Sequence, residues 1–544
     1  MNRLPFLLLP LAVAVAVAVA VLVGFRPQPD ALNAAPRKPN IIIILADDMG
    51  YADLGCTGSE VPTPNIDGLA TNGLLMTQFY NAGRCCPSRA ALLTGLYPHQ
   101  AGLGDMSGDY NHPAYKGVLN DKCITIAEGL KTAGYVTAHS GKWHVGDKLA
   151  SLQPMRRGFD QSYLIDRGGG IYYYPAVGPH TIFENDVPQN VDPATYYSTE
   201  AINDFGVRFL EKQRNSNAPF FLYLGHIAPH FPLQAKPEDI ARFRGRYRDG
   251  FEQIRQRRFT RQRQLGLIPP SQTLSLPDGR VKDWANLTEA QRDTFDLKMA
   301  VYAAQIASLD RETGKLIAKL REIGQLENTV IFFLSDNGSS PEELRVPASN
   351  RSEPGLAQVD GSIGTPRSWA MGSPSWANVS NTPFRMYKQW AHEGGIATPL
   401  IVHYPALIKQ KRLDNQVGHI TDLLPTCLDL AGAAYPATYK NKPVIPVEGR
   451  SLVPILSGKK RAERPFLAWE HEGNRAIRQG NWKLVSKYPA DKWELYDMGR
   501  DRAEMNDLST ANPRKVSELA NQYQQWADKV GVLPWRDLAA IAKP

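Results

Sequence analysis

The segment Cys85-Cys86-Pro87-Ser88-Arg89-Ala90-Ala91-Leu92-Leu93-Thr94-Gly95 joins a nucleophile, a helix start and a fixed cation. Proline is tolerated in a first helical turn, where its missing N–H costs nothing; Ala90 to Leu93 continue as helix formers and Gly95 stops them. Cys85 is therefore expected at a helix N-terminus. There the unpaired backbone N–H groups and the helix dipole favour an anion, and Arg89, one turn on, reaches toward the same anion. The pattern implies an anionic substrate. Asp47-Asp48 closes an apolar run and Asp336-Asn337 closes another. Three carboxylates gathered without a counter-ion would repel one another, so together with Asn337 they imply a hard cation, and an all-oxygen donor set points to calcium or magnesium rather than zinc. Lys142 and His144, two apart, share one side of an extended segment and can share a ligand.

Four similar segments carry these residues. Asn40–Ala46 is a continuous β-branched run, too short for a membrane span, and reads as a buried parallel strand that delivers Asp47 and Asp48. Residues 135–138 lead to Gly141–Gly146, residues 220–224 lead to His226 and Ala228-Pro229-His230, and residues 329–334 lead to Ser335–Gly338. Strands alternating with helices predict an α/β fold, a large, mostly parallel sheet sandwiched by helices, whose ligands bind beyond the carboxyl ends of the strands. All four polar clusters fall at that end, which predicts one active site. From about residue 465 the pattern changes to short strands and turns, followed by a helix over 513–530, which predicts a smaller C-terminal antiparallel-sheet domain.

The pattern C-x-P-S-R-x-x-x-L-T-G, from Cys85 to Gly95, resembles the sulfatase signature, in which the first cysteine is oxidised after synthesis to formylglycine, an aldehyde whose hydrate is the nucleophile. Motif order resembles that family over roughly residues 40–405, and the C-terminal region resembles its small domain. The resemblance implies hydrolysis of an aryl sulfate or sulfated sugar through a covalent sulfo-formylglycine intermediate. It also implies one calcium ion on Asp47, Asp48, Asp336 and Asn337, with residue 85 completing the site. Arg89 and Lys142 become anchors for the sulfate and the gem-diol, His144 the base, His230 the leaving-group acid and Lys388 a second sulfate-binding lysine. His226 does not align with the leaving-group histidine and is read as structural. The resemblance makes formylglycine-generating machinery a partner during maturation. One departure is Ala397, where many relatives have an arginine. Two rival readings are a phosphate- or phosphonate-ester hydrolase of the same superfamily and a non-catalytic binder of sulfated glycans.

The chain of 544 residues carries 62 Lys+Arg against 54 Asp+Glu, a net charge of +8 that suits an anionic substrate. Residues 1–35 read as an export signal, cleaved or retained as a membrane anchor, which implies a periplasmic or extracellular enzyme. Residues 36–460 are assigned to the catalytic domain and 461–544 to the small α+β domain. Export permits disulfides among Cys56, Cys86, Cys123 and Cys427, and the spacing does not choose between bridges and buried thiols. The arginine-rich stretch 242–263, interleaved with aromatic residues, reads as a helical lid with a solvated face rather than a nucleic-acid surface. Residues 339–381, with Trp369, Trp376 and Asn378, are expected to form a wall of the substrate pocket.

Overall fold

A run of four isoleucines is stable as a strand only where both faces are covered. In the computed structural model of the protein, which describes residues 37–146, 149–168, 170–174, 180–343 and 362–541, that run is β1 (Asn40–Ala46), buried throughout. Ile41, Ile43 and Leu45 enter one hydrophobic core and Ile42, Ile44 and Ala46 the other. The first core holds the helices Cys85–Thr94 and Leu423–Ala431; the second holds Pro64–Thr71, Ser198–Lys212 and part of Glu289–Glu322.

The other strands of the large sheet are β2 (Leu74–Tyr80), β3 (Val136–Lys142), β4 (Gln161–Ile165), β5 (Ile182–Glu184), β6 (Val187–Pro188), β7 (Phe220–Gly225), β8 (Thr329–Ser335), β9 (Ala397–His403), β10 (Arg412–Asp414) and β11 (Gly418–His419). Their order is β10-β2-β9-β8-β1-β7-β3-β4-β5-β6, with β11 also on β2. From β8 to β4 every pairing is parallel. β9 runs antiparallel to both β2 and β8. Because β9 starts where β8 ends, the residues before it, including Lys388, arrive at the same sheet edge as Asp336.

The smaller sheet has the antiparallel order Leu467–His471, Asn474–Gln479, Trp482–Ser486, Trp493–Asp497. Its alternation is two-sided: Ile477, Leu484 and Leu495 meet the helix Pro513–Val530 through Leu519, Tyr523 and Trp526, while Trp469, Ala476 and Val485 pack on Tyr80, Phe384 and Ile396. Thr288 caps the helix Glu289–Glu322 with the expected capping box.

The arginine-rich stretch keeps a solvated face, with Arg242, Arg246, Arg257, Arg261 and Arg263 exposed, but two of its arginines turn inward. Its helical core is Phe251–Gln264, and Arg255 and Arg258 are fully buried. Arg258 pairs with Asp53 at 2.7 Å and Glu60 at 2.8 Å, and Arg255 donates to the Ser275 carbonyl at 2.6 Å. Arg244 is tied to Asp293 and Asp296, and Arg248 to Glu289 and Asp293. All five cysteines are unbridged. The N-terminal segment 1–35 and residues 344–361 of the expected pocket wall lie outside the described residues, among which no helix is long and apolar enough to cross a membrane.

Candidate active site

The carboxyl ends of β1, β3, β7 and β8 and the N-terminus of the helix Cys85–Thr94 converge, so the residues singled out above are brought together. Asp47 and Asp48 follow β1, with Asp48 at φ 61°, a left-handed conformation costly for a non-glycine residue and typical of functional turns. Cys85 Sγ lies 3.5 Å from Asp47 Oδ1 and 3.8 Å from Asp48 Oδ1. Lys142 Nζ donates to Asp47 Oδ2 at 2.6 Å and Lys388 Nζ to Asp48 Oδ2 at 2.8 Å. His230 Nε2 is 3.5 Å from the same Asp48 oxygen.

Arg89 is fully buried. Its Nε donates to Asp336 Oδ2 at 3.0 Å and Nη1 to the Lys142 carbonyl at 3.0 Å, while Nη2, 2.9 Å from the same Asp336 oxygen, makes no hydrogen bond. Its charge therefore compensates the carboxylates behind residue 85. Room for it comes from an opposed glycine pair on β3 and β7, Gly141 and Gly225: a Cβ on Gly225 would lie 2.4 Å from the Lys142 carbonyl oxygen and 3.1 Å from Arg89 Nη1.

Lys142 and His144 do not share a pleat. β3 ends at Lys142, and His144 has φ 61°, so a turn and not strand alternation aims the imidazole. A Cβ on Gly168 would lie 2.4 Å from His144 Nε2, so glycine is required against that ring. Burial, then the charges of Lys142 and Arg89, hold His144 well below the usual histidine value.

The carboxylates and the cations around them form one buried electrostatic cluster. Burial would raise Asp47, but Lys142, His230 and Arg89 bring it far below the carboxylate range. Burial and the neighbouring Asp47 charge push Asp336 upward. Asp47 and Asp336 therefore titrate together with the buried cations Lys142, Lys388 and Arg89 and not as independent groups. Asn337 Oδ1 is buried without a hydrogen-bond partner, while Asn337 Nδ2 lies 2.6 Å from Asp48 Oδ1. A half-turn of the amide would bring its carbonyl oxygen beside Asp48 Oδ1 as a further hard donor, so the residues fit an oxygen-preferring ion. Asp47, Asp48, Cys85 and His230 also offer converging donor atoms.

Cys85 itself is a poor nucleophile as a thiol. Burial raises its pKa well above the usual value, although Lys142 and Lys388 oppose the shift, so little thiolate exists near neutrality.

Beside this cluster a cavity is lined by Asp48, His230, Phe231, Met299, Tyr302 and Trp376. Phe231 stacks on His230 at 4.1 Å, and the half-buried Trp369 meets Phe231 edge-on at 6.2 Å. The expected wall is only partly what was anticipated. Trp376 reaches the cavity, but its indole packs on Tyr247 and Phe251 and donates to the Phe295 carbonyl at 2.9 Å, so it is chiefly a core residue. Asn378 is buried in the same short helix, Pro374–Ser380, and does not line the cavity. His226 is buried, neutral and away from this chemistry, its value lowered to about 3 by burial.

Three site neighbours escaped the sequence reading. Glu342 lies 3.5 Å from Lys388 Nζ and 3.3 Å from Arg84 Nη2. Arg84 immediately precedes Cys85, and its charge was the one available signal. Tyr302 donates to Asp53 at 2.7 Å, with the Asp48 carbonyl 3.2 Å away, and supports the strained Asp48 turn from the long helix.

A family model described as sulfatase matches residues 39–433, and a second, described as the C-terminal part of N-sulphoglucosamine sulphohydrolase, matches residues 384–529. An uncharacterized sulfatase of Schizosaccharomyces pombe is 35% identical over 530 residues, covering 92% of this chain and 95% of its own. An arylsulfatase of Klebsiella aerogenes is 34% identical over 457 residues, covering 80% and 95%. The crystal structure of Ps i-CgsB in complex with k-i-k-neocarrahexaose superposes with a TM-score of 0.65 at 28% identity, covering 90% of this chain and 93% of that one.

Proposed function

Since the chain belongs to the sulfatase family and is a sulfuric ester hydrolase, we propose that it cleaves its ester at residue 85, with Cys85 converted to formylglycine, through a covalent sulfo-enzyme. The observation that carries this reading is the pairing of Cys85 with Asp47 and Asp48 inside a ring of Lys142, Lys388 and His230. A buried thiol with a raised pKa would waste that ring. A hydrated aldehyde at the same position supplies one hydroxyl to attack sulfur and a second whose deprotonation expels sulfate.

Asp47, Asp48, Asp336 and Asn337 would hold one calcium ion beside residue 85, where it lowers the cost of an alkoxide. Lys142 and Lys388 neutralise charge that develops on the sulfuryl oxygens, and Arg89 supports residue 85 from behind through Asp336. His230 Nδ1 faces only an acceptor, the Phe231 carbonyl, so that nitrogen carries hydrogen. Nε2, 3.5 Å from Asp48 Oδ2, gives a proton to the departing oxygen when the ring is the imidazolium, a form that burial opposes and the Asp48 and Asp47 charges favour. His144, kept neutral by burial and two cations, is suited to accept a proton from the second hydroxyl.

The organic group of the ester is received beside Phe231 and Trp369, and both aryl sulfates and sulfated sugars have faces that pack on such rings. The apolar N-terminal stretch supports export, and conversion of Cys85 requires formylglycine-generating machinery in the producing cell. Turnover of matched aryl sulfate and aryl phosphate tests the reaction: sulfate hydrolysis well above phosphate hydrolysis, abolished in Cys85→Ala, is expected. A phosphate preference, or an active Cys85→Ala protein, would refute the proposal.

A further inference from the structure

We propose that Asp105, His471 and Glu472 form a second cation site, for a divalent transition metal of the zinc type, which ties the small sheet to the loop following residue 103. His471 ends the strand Leu467–His471, and Glu472 and Gly473, at φ 49° and 78°, make the tight turn to Asn474. A non-glycine residue at such a φ is costly, and here it places Glu472 Oε1 3.6 Å from His471 Nε2.

His471 is 3% exposed and neither ring nitrogen has a hydrogen-bond partner. Asp105 is 5% exposed and its Oδ1 is likewise unpartnered. Buried polar atoms left in this state are costly unless something absent from the protein chain binds them. His471 Nδ1 lies 3.9 Å from Asp105 Oδ1, and Nε2 lies 3.6 Å from Glu472 Oε1. Both exceed hydrogen-bond length. An ion takes one ring nitrogen only, and two ligands each ~2.0–2.1 Å from one tetrahedral ion stand roughly 3.4 Å apart, near the 3.6 Å between His471 Nε2 and Glu472 Oε1. One donor atom from each of the three residues lies within 4.8 Å of the other two.

The remaining carboxylate oxygens are held from behind. Tyr110 donates to Asp105 Oδ2 at 2.6 Å, and the Gln389 amide donates to Glu472 Oε2. Such outer partners orient ligands and leave one oxygen of each carboxylate free for an ion. An imidazole with two carboxylates suits zinc or a similar ion, with water in the fourth position, and differs from the all-oxygen set beside residue 85. Gln389 follows Lys388, so occupancy would also steady the loop that brings Lys388 to the sulfate.

The test uses calcium-saturated protein, stripped of other metals and titrated with zinc, with bound zinc counted after dialysis by mass spectrometry. Wild type and Cys85→Ala should each retain one zinc per chain, and Glu472→Gln and His471→Ala should bind it about tenfold more weakly or worse. Glu472 is a partly exposed turn residue, so Glu472→Gln keeps the fold even if His471→Ala does not. Wild type that holds no zinc, or Glu472→Gln that holds it as wild type does, overturns the proposal.

Discussion

Lys142 Nζ lies 2.6 Å from Asp47 Oδ2, with both side chains buried, so a cation and an anion are locked together where sulfuryl charge must be handled. Removing one partner of a buried pair typically costs about 3–5 kcal/mol, and losing a charge that stabilises the transition state costs roughly 10²–10³ in kcat. Lys142→Met is therefore expected to lower both Tm and kcat by such amounts. Thermal unfolding with steady-state kinetics checks this; a variant with wild-type kcat would remove Lys142 from the chemistry.

Chelation should abolish turnover and lower Tm, because three buried carboxylates would lose their counter-ion. Calcium should restore both. Asp336→Asn should weaken calcium retention, read as metal content after dialysis, and undiminished content in that variant would move the ion elsewhere.

A buried ionic network joins the two sheets. Glu393 accepts from Tyr80 at 2.9 Å, Lys483 at 3.0 Å and Arg502 at 3.0 Å. Burial would raise its carboxyl, but Lys483, Arg502 and Arg478 hold it far down. Nearby, Glu494 is raised by burial yet brought to about 2 by His392, Tyr496 and Arg385. Carboxylates with depressed folded values add stability that is present above the unfolded pKa, about 4.3 for Glu, and lost as pH falls through the folded value near 2. Tm should therefore fall as the pH drops from about 4.3 to about 2, and less steeply in Glu393→Gln, which starts from a lower Tm. Equal slopes for the two proteins would contradict this.

Trp376 and Trp369 should separate. Trp376→Ala empties a core site and should cost about 3–5 kcal/mol of stability. Trp369→Ala, at a half-buried ring beside Phe231, should raise KM for the organic substrate with little change in Tm. Reversal of the two phenotypes would exchange the roles assigned to them.

What the sequence made legible was local. Cys85 at a helix start and Asp47, Asp48, Asp336 and Asn337 at strand ends follow from short-range pattern, since a strand or helix carries its next residues to a fixed place. Strand direction is not encoded that way, so the pattern gave no warning that β9 runs antiparallel to β8 and that the segment before it carries Lys388 to the end of the sheet where Asp336 lies. The Gly141–Gly225 opposition exists only once β3 and β7 pair in register. Arg89 behind Asp336, and Trp376 inside an aromatic core, depend likewise on tertiary contacts. His144 misled because alternation was assumed past the end of β3, where its positive φ breaks it.

The central claim is that residue 85 acts as formylglycine and not as a thiol. Mass measurement of the peptide containing residue 85, from fully active protein made in a host with the modifying machinery, tests it most directly. The account predicts the mass of the aldehyde or its hydrate, in a fraction that tracks specific activity across preparations. An unmodified Cys85 thiol in protein of full activity would contradict it.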